Sequence, residues 1–377
     1  MKKKVIIFGV SGSIGKQTIE VIRKNSHRFE LVGISVKENV KILTDFAEEF
    51  KPPYLAIYEK KPLTLSYNPK IFYGREGLEE LASIDSDLIV MAISGIEAIY
   101  PTKKAIEEEK DIAIATKEVI VSCGELIKEW LKKSKTKLIP IDSEHSTLFQ
   151  LVNTFKKREI KNIFLTASGG PFWNKPKEYL ENATLEDVLK HPTWNMGRKT
   201  TIDSANLINK GLEVIEAHFF FGFPYSAIKV LIHPQSIVHG LIELKDGSFI
   251  AHMAPTDMKI PIQYALSYPQ RINNSFSFLS LSQKELQFYD VDLEKFPGLD
   301  LAYNVGSMGG VYPAIFAIGD EILVDLFLKG KIKFKEIIPL LENIIEDWKG
   351  PKDLEDLEML EFLAKWVGEQ VKEKIRY

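Results

Sequence analysis

The first half of the chain alternates short apolar runs with segments whose apolar residues recur at helical spacing. Strands are predicted at residues 5–8, 29–34, 54–57, 71–73, 87–93, 111–115 and 137–141. Helices are predicted at residues 14–24, 78–82 and 98–109. Because strands that alternate with helices form parallel sheets covered on both faces, we expect a doubly wound α/β domain over residues 1–145.

The second half predicts a different domain. Its helices are expected at residues 146–155, 184–190 and 259–267. Its strands are expected at residues 160–167, 228–232, 236–243 and 248–253. The last three strands predict an antiparallel sheet, since Asp246-Gly247 gives the final pair a hairpin turn. We therefore expect a central α/β domain with a partly antiparallel sheet over residues 146–268.

Polar residues and helix breakers fill residues 269–296, which predicts a linker. Beyond it, apolar residues recur at helical spacing over residues 311–327, 334–348 and 354–375. This pattern is typical of a helical bundle, which we expect over residues 297–377.

Glycines spaced G-x-x-G-x-x-G follow the first strand and precede the first helix, at residues 9–15. Bare backbone in such a turn approaches a pyrophosphate closely, and the helix, capped by Ser11 or Ser13, offers its first amides to negative charge. The turn indicates a Rossmann-type dinucleotide site. The alternative is a turn that only packs the helix on the strand.

The second strand does not end in the acidic residue that would bind a free ribose 2′-hydroxyl. Ser35, Lys37 and Asn39 stand there, and all three can donate hydrogen bonds to a 2′-phosphate. This favours NADPH over NADH, although Glu38 places a negative charge in the same segment.

Asp142 and Glu144 follow the strand at residues 137–141. On an extended chain the two side chains point the same way. Two carboxylates at the carboxyl edge of a parallel sheet repel each other unless a cation lies between them or one is protonated. We interpret them as ligands of a hard divalent metal such as Mg²⁺ or Mn²⁺. The alternative is an exposed turn that caps the next helix.

Further candidates lie at strand ends and in a loop with helix breakers. Lys117 follows the sixth strand, where the alternative is a surface lysine. Ser168 opens a Gly-Gly-Pro turn that either holds an anion or is only a turn. The loop at residues 191–198, with Trp194 and Met196, suits a mobile lid or a rigid loop over a packed aromatic.

A dense polar series runs through residues 203–217. Its members at helical spacing are Ser204, Asn206, Asn209, Lys210, Glu213 and Glu216. The residues between them are too apolar for one narrow buried stripe, so we expect both helix faces to be enclosed, with Gly211 as a break. Glu213 would then be a buried acid that needs a cation, with Asn209 and Lys210 as donors to phosphate or hydroxyl groups.

Composition narrows the class of protein. A net charge of -3 and 45% hydrophobic residues in 377 are typical of a soluble globular protein without general affinity for nucleic acid or membranes. No apolar run approaches transmembrane length. The single cysteine, Cys123, cannot form an internal disulfide, which fits the cytoplasm. His233, His239 and His252 lack metal-ligand spacing and are interpreted as structural.

Seven motifs together carry a resemblance to one family. In chain order they are Gly9-x-Ser-Gly-Ser-Ile-Gly15, Lys117-Glu118, Asp142-Ser-Glu-His145, Ser168-Gly-Gly-Pro-Phe172, His191-Pro-Thr-Trp-x-Met-Gly-Arg-Lys199, Asn209-Lys-Gly-Leu-Glu213 and His233-Pro-Gln-Ser236. They resemble the 1-deoxy-D-xylulose 5-phosphate reductoisomerase family, over essentially the whole chain. The resemblance implies an NADPH-dependent oxidoreductase and isomerase that makes 2-C-methyl-D-erythritol 4-phosphate in the non-mevalonate isoprenoid pathway.

The resemblance also implies a role for each matching residue. The ligands of a divalent metal, Mg²⁺, Mn²⁺ or Co²⁺, are Asp142, Glu144 and Glu213. The substrate contacts are Lys117, Ser143, Glu144, Ser168, His191, Ser204, Asn209, Lys210 and Glu213, of which Lys117, Glu144 and His191 are the candidate catalytic residues. The cofactor contacts are Ser11, Gly12, Ser13, Ile14, Lys37, Asn39, Thr116, Glu118 and Gly197.

The implied reaction rearranges a phosphorylated ketose by retro-aldol cleavage and recombination and then reduces the resulting aldehyde. A metal chelated by substrate oxygens stabilises the alkoxide and enolate charge, and Glu144 can also move protons. A lid over residues 191–198 would keep the aldehyde enclosed until hydride arrives. The resemblance further implies a homodimer, for which we expect the central sheet to be the contact surface.

Four places depart from the family pattern. Ser11 replaces the usual threonine, Thr116 stands where asparagine commonly precedes the lysine, and Val36-Lys37-Glu38 replaces a segment usually richer in glycine and basic residues. These departures lie on the cofactor side and leave the metal and phosphate residues intact. Gly319-Asp320-Glu321 also differs from a common helical motif of the C-terminal domain.

Two other functions remain open on the sequence. A simple NADPH dehydrogenase acting on a small aldehyde leaves Asp142, Glu144 and Glu213 unexplained. A silent nucleotide sensor would bind NADPH without consuming it, and the full set of site residues argues against it. Metal-dependent turnover would distinguish the reductoisomerase from both the simple dehydrogenase and the nucleotide sensor.

Overall fold

The structure, a computed structural model, describes residues 1–194, 196–273 and 276–375. The strands are β1 (Lys3–Phe8), β2 (Phe29–Val36), β3 (Tyr54–Ile57), β4 (Lys70–Tyr73), β5 (Leu88–Met91), β6 (Asp111–Ile114), β7 (Leu138–Pro140), β8 (Ile160–Ala167), β9 (Ile228–Ile232), β10 (Val238–Leu244) and β11 (Phe249–Met253). The helices are α1 (Ser13–Lys24), α2 (Val40–Phe50), α3 (Gly74–Ser83), α4 (Ile99–Glu107), α5 (Lys117–Leu131), α6 (Ser143–Val152), α7 (Lys177–Glu181), α8 (Leu185–Val188), α9 (Arg198–Ala205), α10 (Ile208–Phe221), α11 (Lys259–Ser267), α12 (Pro297–Met308), α13 (Tyr312–Leu328), α14 (Ile337–Asp347) and α15 (Leu357–Ile375).

The chain divides into two compact units. The first contains Met1–Thr116, Ile127–Ser146 and Asp257–Ser277. The second contains Lys117–Leu126, Thr147–Thr256 and Phe278–Tyr377. In the part of the chain that the structure describes, no helix has both the length and the apolar composition needed to cross a membrane.

The first unit is built on a parallel sheet of seven strands in the order β4-β3-β2-β1-β5-β6-β7. Val5, Ile6 and Ile7 of β1 are fully buried, as expected for a strand covered on both faces. The chain order reverses at β1, which lies between β2 and β5. The predicted doubly wound sheet is confirmed, and its ligand crevice is expected at the carboxyl ends of β1 and β5.

Local differences from the predicted elements concern strand ends and two helices. β7 stops at Pro140, because the chain turns directly into α6 at Ser143. Helices α2 and α5 were not among the predicted elements, and α5 bends at Cys123, where φ is -126°. Asp142 and Glu144 therefore lie at a helix start instead of on a continued strand.

The second unit contains a mixed sheet in the order β11-β10-β8-β9. The antiparallel pairs β8/β10 and β10/β11 agree with the predicted partly antiparallel sheet. The expectation that β9 also pairs antiparallel is wrong, since β9 runs parallel to β8. Ile163 and Leu165 of β8 are fully buried, so β8 takes the central place between β9 and β10.

Helices α12 to α15 also belong to the second unit. Helix α13 packs against α12, α14 and α15, and its residues Ala314, Ile315 and Phe316 are fully buried. This arrangement is the helical bundle predicted from the apolar spacing. Between α11 and α12 the described residues form neither helix nor strand, apart from an isolated bridge that joins Ile232 and Tyr289.

Candidate active site

The three glycines of the turn between β1 and α1 differ in how much space surrounds them. A Cβ on Gly9, whose φ is +81°, would lie 2.4 Å from the Ala92 carbonyl oxygen. A Cβ on Gly15 would lie 2.3 Å from the Gly9 oxygen. A Cβ on Gly12 would meet nothing closer than 3.4 Å. Gly9 and Gly15 therefore serve the close helix and strand packing, whereas Gly12 leaves backbone accessible to a ligand.

Helix α1 begins at this turn without a side-chain cap. Gly12 is its N-cap residue, so the prediction that Ser11 or Ser13 caps the helix is wrong. The Ser13 hydroxyl oxygen instead accepts a hydrogen bond from Gln17 Nε2 at 3.2 Å. The first amides of a helix have no intrahelical acceptor, and here they include those of Ser13 and Ile14. An exposed, uncapped helix start fits a pyrophosphate.

The end of β2 carries the predicted 2′-phosphate segment. Ser35 is buried, and its hydroxyl accepts from the Gly9 amide at 3.2 Å, so it supports the glycine turn rather than the ribose. Lys37 and Asn39 are exposed, and Asn39 Oδ1 caps α2 by accepting from the Ile42 amide. The opposing charge of Glu38 is paired: Lys61 Nζ lies 2.8 Å from its Oε2, which lowers the Glu38 pKa, chiefly through that hydrogen bond.

Asp142, Glu144 and Glu213 form one carboxylate group. Each offers a ligand oxygen, and these oxygens all lie within 4.8 Å of one another. Glu213 is 1% exposed, whereas Asp142 and Glu144 are half-buried. Three converging carboxylate oxygens are the ligand set that hard divalent cations prefer. The residues fit the metal that the sequence predicts.

Asp142 has a second role at the start of α6. Its Oδ1 accepts from the Glu144 amide at 3.2 Å and lies 3.1 Å from His145 Nδ1. The Ser143 hydroxyl donates to Glu144 Oε2 at 2.5 Å. The helix-cap alternative and the metal interpretation are thus compatible, because one carboxylate orients the helix start and still offers an oxygen to the group.

Cationic and amide donors surround Glu213. Lys117 Nζ lies 2.7 Å from Oε1, and Asn209 Nδ2 donates to the same oxygen at 2.6 Å. Lys210 Nζ donates to Oε2 and to the Thr166 carbonyl oxygen. Lys117 is 14% exposed, so the surface-lysine alternative is wrong. These donors satisfy the buried carboxylate and fix its orientation.

Helix α10 carries these donors on an enclosed surface. It runs without a break through Gly211, so the predicted break at this residue is wrong. A Cβ on Gly211 would lie 2.4 Å from the Ala302 Cβ, which shows that the glycine permits close packing of α12. The polar series is divided instead at Leu207, whose φ is +61°. The prediction that both faces are enclosed is confirmed over residues 210–217, all of which are buried, with Lys210 and Glu213 among them.

Ser168 and His191 form a second polar group. His191 Nε2 lies 3.0 Å from the Ser168 hydroxyl, and its Nδ1 accepts from the Trp194 amide at 2.9 Å. Burial lowers the His191 pKa to about 4, so the ring is neutral near pH 7. Because Nδ1 is an acceptor, Nε2 carries the proton and donates to Ser168. The Ser168 hydroxyl proton can then be donated to a ligand.

The turn after Ser168 packs against α9. A Cβ on Gly170, at φ +67°, would lie 2.5 Å from the Ser204 carbonyl oxygen, so this turn also has a structural purpose. The Ser204 hydroxyl donates to the Thr200 carbonyl at 2.8 Å. The predicted lid at residues 191–198 includes Asn195, which lies outside the described residues. Trp194 is half-buried, with its ring centre 5.8 Å from that of His239.

Thr116 and Glu118 flank Lys117. The Thr116 hydroxyl donates to the Ile93 carbonyl oxygen at 2.5 Å and is buried, so it ties two strand ends together. Glu118 Oε1 lies 3.5 Å from Lys199 Nζ. Gly197 is the exposed N-cap residue of α9, which carries Lys199.

Sequence reasoning missed Lys61 and the group around Lys199. A partner such as Lys61 is brought to Glu38 by the adjacency of β2 and β3, which local sequence does not reveal. Asp320 did leave a signal, because it is one of three acids within a mainly apolar helical run, residues 311–327.

The three histidines interpreted as structural have hydrogen-bonding neighbours in the second unit. His233 Nδ1 lies 2.8 Å from the Gln287 carbonyl oxygen, and His239 Nε2 lies 3.1 Å from that of Ala254. His252 Nδ1 lies 3.1 Å from the Thr147 hydroxyl. These contacts agree with a structural role.

Comparison with known sequence families covers most of the chain. A family described as 1-deoxy-D-xylulose 5-phosphate reductoisomerase matches residues 5–124, and its C-terminal domain matches residues 138–221. A family described as DXP reductoisomerase C-terminal domain matches residues 253–367.

Named relatives and solved structures agree with these matches. The 1-deoxy-D-xylulose 5-phosphate reductoisomerase of Clostridium tetani is 43% identical over 382 residues, which cover 99% of each chain. That of Clostridium botulinum strain Loch Maree is 45% identical and covers 96% of this chain and 99% of its own. The Zymomonas mobilis enzyme in complex with NADPH superposes with a TM-score of 0.90, at 30% identity, over 100% of this chain and 99% of that one. A DOX-P reductoisomerase with NADPH, fosmidomycin and magnesium gives 0.91, at 34% identity, over 99% and 98%.

Proposed function

Because the chain belongs to the 1-deoxy-D-xylulose 5-phosphate reductoisomerase family, we propose how the residues described above carry out that family's reaction. The protein converts 1-deoxy-D-xylulose 5-phosphate to 2-C-methyl-D-erythritol 4-phosphate by rearrangement and NADPH-dependent reduction, and it requires a divalent metal. This reaction belongs to the non-mevalonate isoprenoid pathway.

We propose that Asp142, Glu144 and Glu213 hold the metal, which is Mg²⁺, Mn²⁺ or Co²⁺. The observation that supports this most directly is the convergence of their oxygens within 4.8 Å. A bound divalent ion supplies Lewis-acid stabilisation of oxyanion charge. Lys117, Lys210 and Asn209 orient Glu213, and Ser143 and the Glu144 amide fix the other two carboxylates.

We assign substrate binding to polar side chains that can donate hydrogen bonds. His191, neutral and protonated at Nε2, orients the Ser168 hydroxyl as a donor to a phosphate oxygen. Ser143, Ser204 and Asn209 complete the hydroxyl and amide donors. Lys117, with its ammonium group beside Glu213, and Glu144, with a carboxylate that can accept a proton, are the proposed catalytic groups together with His191.

Cofactor binding is assigned to the glycine turn and neighbouring strand ends. The amides of Ser13 and Ile14 at the uncapped start of α1 suit the NADPH pyrophosphate, and Gly12 leaves room for it. The remaining proposed contacts are Ser11, Lys37, Asn39, Thr116, Glu118 and Gly197. The lid over residues 191–198 would exclude water while the aldehyde waits for hydride.

An assay that follows NADPH absorbance with the ketose phosphate tests the proposal. Turnover must need both the added metal and the specific substrate. Oxidation of NADPH with other small aldehydes and without metal would favour the simple dehydrogenase instead. Binding of NADPH without any turnover would favour the nucleotide sensor.

Lys61 is expected to set the coenzyme preference. In Lys61→Met the Glu38 charge lacks its 2.8 Å partner and repels the 2′-phosphate. The KM for NADPH should rise about tenfold, the effect of a lost charge-assisted contact, while the KM for NADH stays near its original value. Steady-state kinetics with both coenzymes measure this.

The matched control is Lys103→Met, which removes another half-exposed lysine of the first unit, paired with Glu107. It should leave both KM values unchanged. Equal changes for the two coenzymes in Lys61→Met would contradict the assignment, since NADH has no 2′-phosphate.

We also propose a homodimer formed through the mixed sheet. The support is its edge strand β11, where Phe249 is 54% and Met253 40% exposed, an unusual placement for large apolar side chains. A second copy of the sheet would cover these residues.

The variant Phe249→Glu should be a monomer in light scattering at concentrations where the original protein is a dimer. Burying an unpaired carboxylate costs several kcal/mol, so the dimer Kd should rise at least about 100-fold. Lys229→Glu, on the opposite edge strand β9, is the control and should remain dimeric. A dimeric Phe249→Glu protein would rule out this surface.

Two further proposals concern organisation and location. We propose an NADPH-binding domain over residues 1–145, a catalytic and dimerisation domain over 146–268, a linker over 269–296 and a helical domain over 297–377, supported by the order of sheets and helices.

We propose a cytoplasmic location, supported by a single, buried cysteine. The partners are a phosphorylated ketose and a second copy, with neither nucleic acid nor membrane.

A further inference from the structure

A group of four charged residues, two of them fully buried, contains none of the proposed metal ligands. We call it the Lys199 cluster, and it consists of Glu118, Lys199, Asp203 and Asp320. Lys199 Nζ lies 2.6 Å from Asp203 Oδ2, 2.7 Å from Asp320 Oδ2 and 3.5 Å from Glu118 Oε1. Asp203 is 1% and Asp320 0% exposed. The cluster joins the starts of α5 and α9 to the middle of α13.

The charges of the Lys199 cluster do not balance if every acid is ionised. One ammonium faces three carboxylates, and the Oδ1 atoms of both Asp203 and Asp320 are buried without a hydrogen-bond partner among the described residues. An unpaired carboxylate oxygen in a dry site is costly. Two acids that share one cation avoid most of this cost when one of them takes up a proton, as in other carboxyl pairs.

The surrounding elements carry other charged groups, several of which are paired outside the cluster. On α10, which packs against α9, Lys210 binds Glu213 and the Thr166 carbonyl. On α8, Asp187 binds Thr184, and Glu186 pairs with Lys190. The other charged groups on α9, α10 and α13 are Arg198, Glu216, His218, Glu321 and Asp325, of which Asp325 pairs with Lys329. The electrostatic influences on Asp203 come from Asp320, Lys199 and Glu118.

Burial and the neighbouring Asp320 carboxylate raise the Asp203 pKa to about 8, and burial also raises the Asp320 pKa. The unfolded chain releases the same proton near pH 4, at an ordinary aspartate pKa. The folded state therefore binds more protons between about pH 4 and pH 8, so its stability falls as pH rises through this window.

We propose that Asp203 and Asp320 together carry one proton in the folded protein, on one carboxyl or the other. Lys199, held between them, is then a positioning residue that fixes Glu118 and the start of α9 for cofactor binding. This inference rests on the proposed function, because Glu118 and Gly197, the residue before α9, are proposed NADPH contacts. When the proton leaves, the two repelling carboxylates pull on Lys199 and its contact with Glu118 loosens.

The variant Asp320→Asn tests the proposal, because the amide has the shape of the acid and makes the cluster charge the same as in the singly protonated pair. For the original protein, the KM for NADPH should rise as pH increases through about 8. In Asp320→Asn the KM should match the original at pH 7 within about twofold and stay flat at higher pH. Asp325→Asn, on the same helix at an exposed ion pair, is the matched control and should keep the original pH dependence.

Infrared spectroscopy of the protein without cofactor tests the proton itself. The original protein should show a carboxylic acid carbonyl band that disappears as pH rises through about 8, and Asp320→Asn should lack it. The same band in both proteins would overturn the shared proton. A lost band with an unchanged pH dependence of KM would overturn the positioning role. If the protein does not catalyse the proposed reaction, both claims remain testable. The infrared band tests the proton on Asp203 and Asp320, and the pH dependence of the NADPH Kd, measured by fluorescence, tests the positioning role of Lys199.

Discussion

Replacing Glu213 by glutamine should abolish metal-dependent turnover while NADPH binding persists. Glutamine keeps the size of the side chain but removes the charge that draws a divalent ion to the group with Asp142 and Glu144. Lewis-acid stabilisation is worth several kcal/mol, so kcat/KM should fall at least about a thousandfold. Adding a chelator to the original protein should have the same effect.

The measurement needs a readout of metal binding apart from activity. Titration with Mn²⁺, followed by its magnetic resonance signal, should show weaker binding in Glu213→Gln, whereas the fluorescence titration with NADPH should be unchanged. Because Lys117 and Lys210 both contact Glu213, thermal unfolding must confirm that the variant is folded. Glu129→Gln, at an exposed ion pair with Lys132, is the control and should retain full activity. Substrate-specific NADPH oxidation that resists the chelator would refute the metal assignment.

The second large effect is expected for a substitution in the glycine turn between β1 and α1. It should weaken cofactor binding without destabilising the fold. Gly12→Ala places a methyl group where the protein leaves space, at least 3.4 Å from the nearest atom of the turn. Stability should fall by less than about 1 kcal/mol, the difference between glycine and alanine at a helix N-cap. The Kd for NADPH should rise about 30-fold to 100-fold, because the lost hydrogen bonds to a charged pyrophosphate are worth about 2 to 3 kcal/mol.

Gly15→Ala is the matched variant, with the opposite expectation. Its Cβ would lie 2.3 Å from the Gly9 carbonyl oxygen, so β1 and α1 must move apart. Thermal unfolding should show a large fall in Tm for Gly15→Ala and almost none for Gly12→Ala, and fluorescence titration measures NADPH in both. If Gly12→Ala binds NADPH normally, the turn only packs the helix on the strand.

Hydrophobic periodicity was sufficient to predict the strands of the seven-stranded sheet. The strands of the first unit are short and mainly apolar, and most of them are separated by helices, so local pattern alone decides such elements. Pairing partners were harder to predict: β9 runs beside β8 because β8 has to be covered on both sides, a requirement that comes from the rest of the unit. Helix ends were also missed, since the cap of α1 is Gly12 and not a serine.

For the site, the sequence by itself determined which chemical groups the protein has. Carboxylates at positions 142, 144 and 213, a glycine turn after the first strand and a lysine after the sixth are fixed by the chain, and their types already indicate metal and dinucleotide chemistry. The resemblance to a family supplied the roles. Local pattern cannot supply distances, because residues far apart in the chain meet only when their elements pack.

The tertiary structure alone decided which charges face each other. It placed Lys61 against Glu38, gave His191 its neutral state through burial and the Trp194 amide, and joined Asp203 to Asp320 through Lys199. Electrostatic interactions depend on separation and on the exclusion of water, and both are properties of the folded chain. Composition and spacing therefore indicated metal and dinucleotide chemistry, and the family resemblance implied the reaction class, whereas folding determined the protonation of the groups.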